Sequence, residues 1–338
     1  VKQIEIIGGG LAGLVLANQL AEQKIPTVLH EAGSYPRHRV CGEFLCGRGA
    51  SLLRNSGFGE ILKDSTEQRT TVWYNSTEKL FERSIPQTAV GLSRFEMDQR
   101  LAERFVDLGG QLLTGSRVKS TDNDEGVVQC TGRKPVRSDW IGLKVHLEGF
   151  EGNHDLELHF ADDCYVGISR IEDGKWNLCA LFKQRSECSG TKKNLILNYI
   201  QACGLNTLHE RISRSVLLTE SHASVAGIEF KLSPSQSTGI SLGDRYGVIP
   251  PFTGNGMSIA VESAFIASKH LIDYAEGKNS WDCAQERVNA ELDKTLSRRF
   301  KTAEFMHPFL FNPTYRKLLS LGIKYHIIPF NFMFNQTH

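Results

Sequence analysis

Gly8, Gly10 and Gly13, in the stretch IEIIGGGLAGLVLANQL, fit the spacing G-x-G-x-x-G. That spacing lets a backbone turn tightly, approach a ligand closely and pack a helix against a strand. Glu31 lies 18 residues beyond Gly13, near the ~20 at which a carboxylate accepts ribose hydroxyls. The combination reads as a dinucleotide site. The pyrophosphate would sit on the N–H groups of Gly10, Leu11 and Ala12, and the ribose would lie against Glu31 and Ala32. A ligand-free Gly-rich turn is the plain alternative. Lys144 and His146 lie two apart in an alternating stretch, which makes them candidates for proton transfer or substrate orientation. A solvated strand face would show the same pattern.

The flanking pattern supplies elements to position these residues. Ile4, Ile6 and Ile7 read as a buried strand, and Leu11, Leu14, Leu16, Ala17 and Leu20 as one helix face. Residues 26–31 read as a second strand ending in Glu31. Residues 91–118 read as a helix headed by Arg94, with Leu101 and Phe105 facing inward, then a Gly turn and a strand. Residues 239–271, GISLGDRYGVIPPFTGNGMSIAVESAFIASKHL, read as a strand, a loop stiffened by Pro250-Pro251, and a helix opened by Gly254-Asn255-Gly256. Residues 140–183 alternate apolar and polar side chains, with turns at Asp162-Asp163 and Glu172-Asp173-Gly174. They predict an antiparallel meander. Its period of two puts Gly142, Lys144 and His146 on one face, and Tyr165, Gly167 and Ser169 on one face.

These segments together resemble the superfamily of FAD-dependent aromatic hydroxylases (p-hydroxybenzoate hydroxylase-like) and geranylgeranyl reductases. The resemblance implies noncovalent FAD. It assigns Asp244 to the ribitol chain and Arg94 to the flavin side of the site. Pro251, Gly254, Asn255, Gly256 and Met257 fall at the pyrimidine end of the ring, where a helix N-terminus favours the negative charge of reduced flavin. Arg39-Val40-Cys41-Gly42-Glu43 resembles the Cys-Gly segment of the reductase branch. That places Cys41 and Gly42 along the flavin and Arg39 near the pyrophosphate or ring. Arg37 and Arg39 beside Cys41 would favour its thiolate. The C-x4-C spacing of Cys41 and Cys46 also resembles the flavin disulfide reductases, but a second G-x-G-x-x-G is absent. The inserted sheet is implied to roof the flavin and form the substrate pocket.

The chain departs from these relatives in three places. Val127-Val128-Gln129-Cys130-Thr131-Gly132-Arg133 stands where hydroxylases carry Gly-Ala-Asp-Gly. Tyr165-Val166-Gly167-Ile168-Ser169-Arg170 replaces the reductases' Tyr-x-Trp-x-Phe-Pro, so isoprenoid specificity does not carry over. The Trp-x-Trp-x-Ile-Pro element of flavin halogenases has no counterpart.

The expected fold class is α/β: a Rossmann-like FAD-binding domain with a parallel βαβ sheet, an inserted antiparallel substrate sheet and C-terminal helices. Residues 1–70, 88–138 and 235–280 would form the discontinuous FAD domain. Residues 71–87 and 139–234 would form the sheet domain, and 281–338 a helical cap on the substrate side. The chain of 338 residues is 40% apolar and 23% charged with a formal charge of +1. That balance gives no electrostatic reason to expect nucleic acid. The first apolar segment reads as a strand rather than a leader, and no apolar run is long enough to span a membrane. Eight scattered cysteines favour reduced thiols in a cytoplasmic compartment. The apolar end, LLSLGIKYHIIPFNFMFNQTH, would pack on the body, with a tunnel lining or a peripheral membrane contact as alternatives. No metal site is expected, and oligomeric state stays open. The expected function is an FAD-dependent oxidoreductase that reduces or dehydrogenates a hydrophobic small molecule, with NAD(P)H as electron donor. The alternatives are a flavin-dependent monooxygenase of an aromatic or polyketide-like substrate, a disulfide reductase using Cys41 and Cys46, and a noncatalytic flavin-binding protein.

Overall fold

β1 (Ile4–Ile7) enters the molecule as a buried apolar strand and leads into α1 (Leu11–Glu22), then β2 (Thr27–Glu31). The chain continues through β3 (Phe44–Leu45), α2 (Gly47–Asn55), β4 (Thr66–Asn75), β5 (Glu78–Gly91), α3 (Arg94–Asp107), β6 (Gln111–Thr114) and β7 (Val127–Gln129). β8 (Trp140–Glu148), β9 (Leu156–Ala161), β10 (Cys164–Arg170), β11 (Trp176–Lys183), α4 (Leu195–Ala202), α5 (Asn206–Ser213) and β12 (Val216–Ala226) follow. β13 (Ile240–Ser241), α6 (Gly256–Ala275) and α7 (Trp281–Phe311) complete it. This computed structural model describes residues 1–311, apart from 77, 120–123, 135, 189, 192–193 and 229–238, together with 315 and 322.

Two sheets organise these elements. The first is parallel, in the order β13-β7-β1-β2-β6. α1, α3 and α6 pack on it through a core that includes Leu14, Leu16, Leu101, Phe105, Val261 and Ala264. Crossover helices cover a parallel sheet, so its strands are largely apolar, as Ile4, Ile6 and Ile7 of β1 show. The second sheet runs β12-β8-β11-β10-β9-β4-β5-β3, and α4 and α5 cover its outer face through Ile196, Ile200, Leu208 and Ile212.

Two expectations need adjustment. Residues 140–183 do not form a simple meander, because β8 pairs with β11 and not with its chain neighbour β9. β9 instead takes β4 as a parallel neighbour, so the sheet is mixed rather than wholly antiparallel. The segment expected there from 71–87 falls within the longer β4 and β5. α7 packs largely on the parallel-sheet core, and its Met306 reaches the sheet-side cluster of Trp73, Phe160 and Tyr165 and lines a cavity there. Its stripe Trp281, Ala284, Val288, Leu292, Leu296 and Phe300 repeats every three to four residues and joins that core. The apolar end at 318–338 lies outside the described residues, apart from position 322.

Candidate cofactor and substrate cavity

One cavity of about 1220 Å³ is lined from both sheets, above the ~300–1,000 Å³ of common small-molecule pockets. Its floor begins at the β1–α1 turn. Gly8 has φ +109°, and a side chain there would strike the Cys130 carbonyl, so only glycine makes this turn. Gly13 packs on the Gly8 carbonyl in the same way and does not line the cavity. At Gly10, Gly42 and Gly256 nothing stands within 4 Å of where a side chain would begin. All three line the cavity, leaving bare backbone open to a ligand. No side chain caps α1 at Gly10, so its first N–H groups are free to receive an anion.

Glu31 is held by its neighbours. Its Oε1 accepts from the Gly33 N–H at 2.7 Å and from Arg37 at 3.0 Å, and its Oε2 from the Gly9 N–H at 3.0 Å. Burial alone would raise its pKa, but the Gly33 N–H, Arg39, Arg37 and the Gly9 N–H outweigh it and keep the carboxyl below the usual range. Arg39 also reaches Asp98 at 3.0 Å and the Gly9 carbonyl at 3.1 Å. Asp98 takes two bonds of 2.7 Å from Arg94, a bidentate pair that fixes Arg94 at the cavity edge. Asp98 was not singled out in the sequence, although the i,i+4 spacing from Arg94 was visible there.

Asp244 opens onto the cavity at the far side. Burial among protein atoms pushes its carboxyl up, against the pull of Arg94 and Arg133. Pro251, Gly254, Gly256 and Met257 line the same end, with Gly254 at φ +67°. Asn255 is fully buried and lies behind that lining. Leu11, Ala12, Ala32, Arg39, Cys41, Gly42 and Arg94 all line the cavity.

Lys144 and His146 are buried, not solvated, and neither lines the cavity. Glu43, at φ +52°, binds both: its Oε1 lies 3.2 Å from Lys144 Nζ and its Oε2 lies 2.7 Å from His146 Nε2. Glu43 also accepts the Arg94 N–H at 3.0 Å. His38, which does line the cavity, sits 3.2 Å from Lys144 Nζ. Sequence reading passed over His38 and Glu43, because their partners on β8 are about a hundred residues away and no local spacing marks them.

Both close cysteines are free thiols. Burial pushes the Cys41 thiol up, against the Arg94 charge, which is opposite to the shift expected from its arginine neighbours. Cys46 is fully buried at the start of α2, and burial pushes its thiol up as well. Cys41 is half-buried on the cavity wall, whereas Cys46 is closed off from it. The sheet-side wall consists of Thr71, Trp73, Leu156, Leu158, Tyr165 and Leu181 with smaller neutral neighbours, and no strand of that sheet contributes a charged side chain. Arg117, Val118, Lys119 and the stretch Cys130-Thr131-Gly132-Arg133 complete the opposite rim.

No family model matches the chain. An uncharacterized protein of Methanosarcina barkeri is 24% identical over 99% of this chain and 92% of its own length. The tRNA-(uracil-5-)-methyltransferase TrmFO of Synechococcus, named for methylenetetrahydrofolate, is 28% identical over 48% of this chain and 36% of its own length. A menaquinone reductase of Mycobacterium tuberculosis is 24% identical over 36% and 31%. The match thus spans about a third of the length of those two relatives. Among solved structures, Pseudomonas aeruginosa PqsL in complex with 2-aminobenzoylacetate superposes with a TM-score of 0.74 at 16% identity, covering 93% of this chain and 98% of its own. The flavin-dependent brominase Bmp2 gives 0.75 at 15%, covering 96% and 90%. Klebsiella pneumoniae HpxO with FAD and uric acid gives 0.74 at 12%, covering 99% and 95%. The chain shares the fold of these solved structures.

Proposed function

We propose that this chain is an FAD-dependent oxidoreductase acting on a hydrophobic small molecule, and that monooxygenation is its reaction class. The carrying observation is convergence. The α1 turn, Glu31, the Arg39–Gly42 loop, Asp244 and the start of α6 all open on one cavity, although more than 200 residues separate the first from the last. The open backbone at Gly10, Gly42 and Gly256 is the cradle a large flat cofactor needs, and the uncapped α1 suits a pyrophosphate.

In this reading Gly10, Leu11 and Ala12 hold the pyrophosphate, Glu31 and Ala32 the ribose, and Asp244 the ribitol chain. Arg39, Cys41, Gly42, Arg94, Pro251, Gly254, Gly256 and Met257 surround the ring. Gly13 and Asn255 act behind the lining by shaping the two turns. When bound, FAD supplies the redox chemistry that amino-acid side chains lack. The protein's part is to orient the substrate against the ring, exclude water with the apolar sheet wall, and place charged groups near the reacting atoms. Lys144 and His146 contribute through Glu43 and His38.

Monooxygenation moves ahead of the reductase reading because flavin-dependent oxygenating and brominating enzymes match nearly the whole fold. The menaquinone reductase supports reduction, but over 36% of this chain. Purified protein reconstituted with FAD is expected to show a flavin band near ~450 nm. NAD(P)H oxidation that a substrate accelerates, with oxygen entering the product, supports monooxygenation. Anaerobic substrate reduction would favour the reductase, and protein that takes up no FAD would end both readings.

A further inference from the structure

Beneath the loop that carries Cys41 and Gly42, four titratable side chains meet: His38, Glu43, Lys144 and His146. Lys144 Nζ lies 3.2 Å from Glu43 Oε1 and 3.2 Å from His38 Nδ1. An ammonium has three donors and no lone pair, so His38 Nδ1 can only be the acceptor. A neutral His38 therefore carries its proton on Nε2. Burial and the Lys144 charge hold its pKa down to about 4, with His146 adding to them and Glu43 and Glu220 opposing. Lys144 and His146 on β8, Glu43 on its own loop and Glu220 on β12 are the charged or titratable groups that act on it most strongly. The ring is also held mechanically: it stacks on Phe95 of α3 at 4.5 Å and 23°, and meets His146 edge-on at 5.1 Å. His38 lines the cavity, half-buried, and its Nε2 has no partner among the described residues.

We propose that His38 is a neutral hydrogen-bond donor of the cavity, presenting Nε2–H to the carbonyl or phenolic oxygen of an otherwise apolar, uncharged substrate. The sheet-side wall is consistent with that substrate class, because none of its cavity-lining residues offers a cation to a carboxylate. A neutral imidazole donor polarises an oxygen without giving up its proton. The substrate class rests on the assignment of the sheet side of the cavity to substrate. The tautomer of His38 does not.

The first test is nitrogen NMR of the full chain with labelled histidine, with and without FAD. The expected His38 signals are a bare Nδ1 and a protonated Nε2, unchanged from pH 5.5 to 8. A doubly protonated ring near pH 7, or the opposite tautomer, overturns the proposal. The second test is equilibrium binding to the FAD-loaded protein of 1,4-naphthoquinone, naphthalene and 2-naphthoate. Naphthoquinone should bind best. His38→Ala should weaken it about tenfold, as loss of one buried hydrogen bond does. His38→Gln, which retains an N–H donor, should restore most of the affinity, and naphthalene binding should not change. Tighter binding of 2-naphthoate, no naphthoquinone binding, or an unaffected His38→Ala variant would each refute it. Failure to take up FAD would instead sink the cofactor reading, and the tautomer measurement on FAD-free protein would still stand.

Discussion

Glu43 shows how much one side chain can carry. It is fully buried between Lys144 and His146, so its removal leaves a buried ammonium without a counter-charge. Glu43→Ala is expected to cost about 3–5 kcal/mol in denaturant unfolding. The pH dependence has a definite sign. Burial alone would raise this carboxyl, but the His146 hydrogen bond and the Lys144 charge bring it below its ordinary value of 4.5. Its folded value is thus below its unfolded one. The stabilisation it provides is complete above about 4.5 and is lost as pH falls further. Unfolding midpoints measured down an acid series should drop less steeply in Glu43→Gln than in wild type. Asp244 is the complementary case, a carboxyl open to the cavity and pushed up by burial. If it accepts the ribitol hydroxyls, Asp244→Ala weakens FAD binding at least tenfold by titration, while an unchanged affinity would remove it from the cofactor site.

At the scale of elements, α3 illustrates positioning. Ser93 Oγ accepts the Glu96 N–H at 3.2 Å, capping the helix, and the Ser93 N–H donates to Glu172 at 2.8 Å. Both contacts set where Arg94 begins. Ser93→Ala should cost about 1 kcal/mol in chemical unfolding and shift the Arg94–Asp98 pair. The β1–α1 turn is less forgiving. A side chain at Gly13 would fall on the Gly8 carbonyl, so Gly13→Val must open the turn that presents the α1 N–H groups. Calorimetry should find FAD binding lost in that variant while circular dichroism keeps the helix content. These helices and strands were legible because their apolar spacing is local, at 3.6 residues for α1 and 2 for β10. The pairing of β8 with β11, and of β9 with β4, was not legible. Alternation marks a strand but does not name its neighbour.

At the scale of the molecule, the cavity exists because residues of both sheets and of the segment between β2 and β3 come together to line it. A ligand that binds this assembled cavity, and not the unfolded chain, must stabilise the whole fold. At a free FAD concentration 100 times its Kd, the gain should be about 2.7 kcal/mol, read as a rise in melting temperature. FAD that binds without raising it would be attached to something other than the native cavity.

The parallel-sheet strands, the glycine turn with Glu31, the Arg94 helix and the Gly254–Gly256 helix start could all be read from sequence. Each is a contiguous segment whose spacing carries its own physical reason. The tertiary structure decided which polar groups meet. It placed Lys144 and His146, the candidates for proton transfer or substrate orientation, in a buried cluster with Glu43, set His38 and not either of them on the cavity, and left Cys41 half-buried on the cavity wall and Cys46 fully buried. Electrostatic character depends on burial and on partners distant in sequence, and spacing along a single chain contains neither.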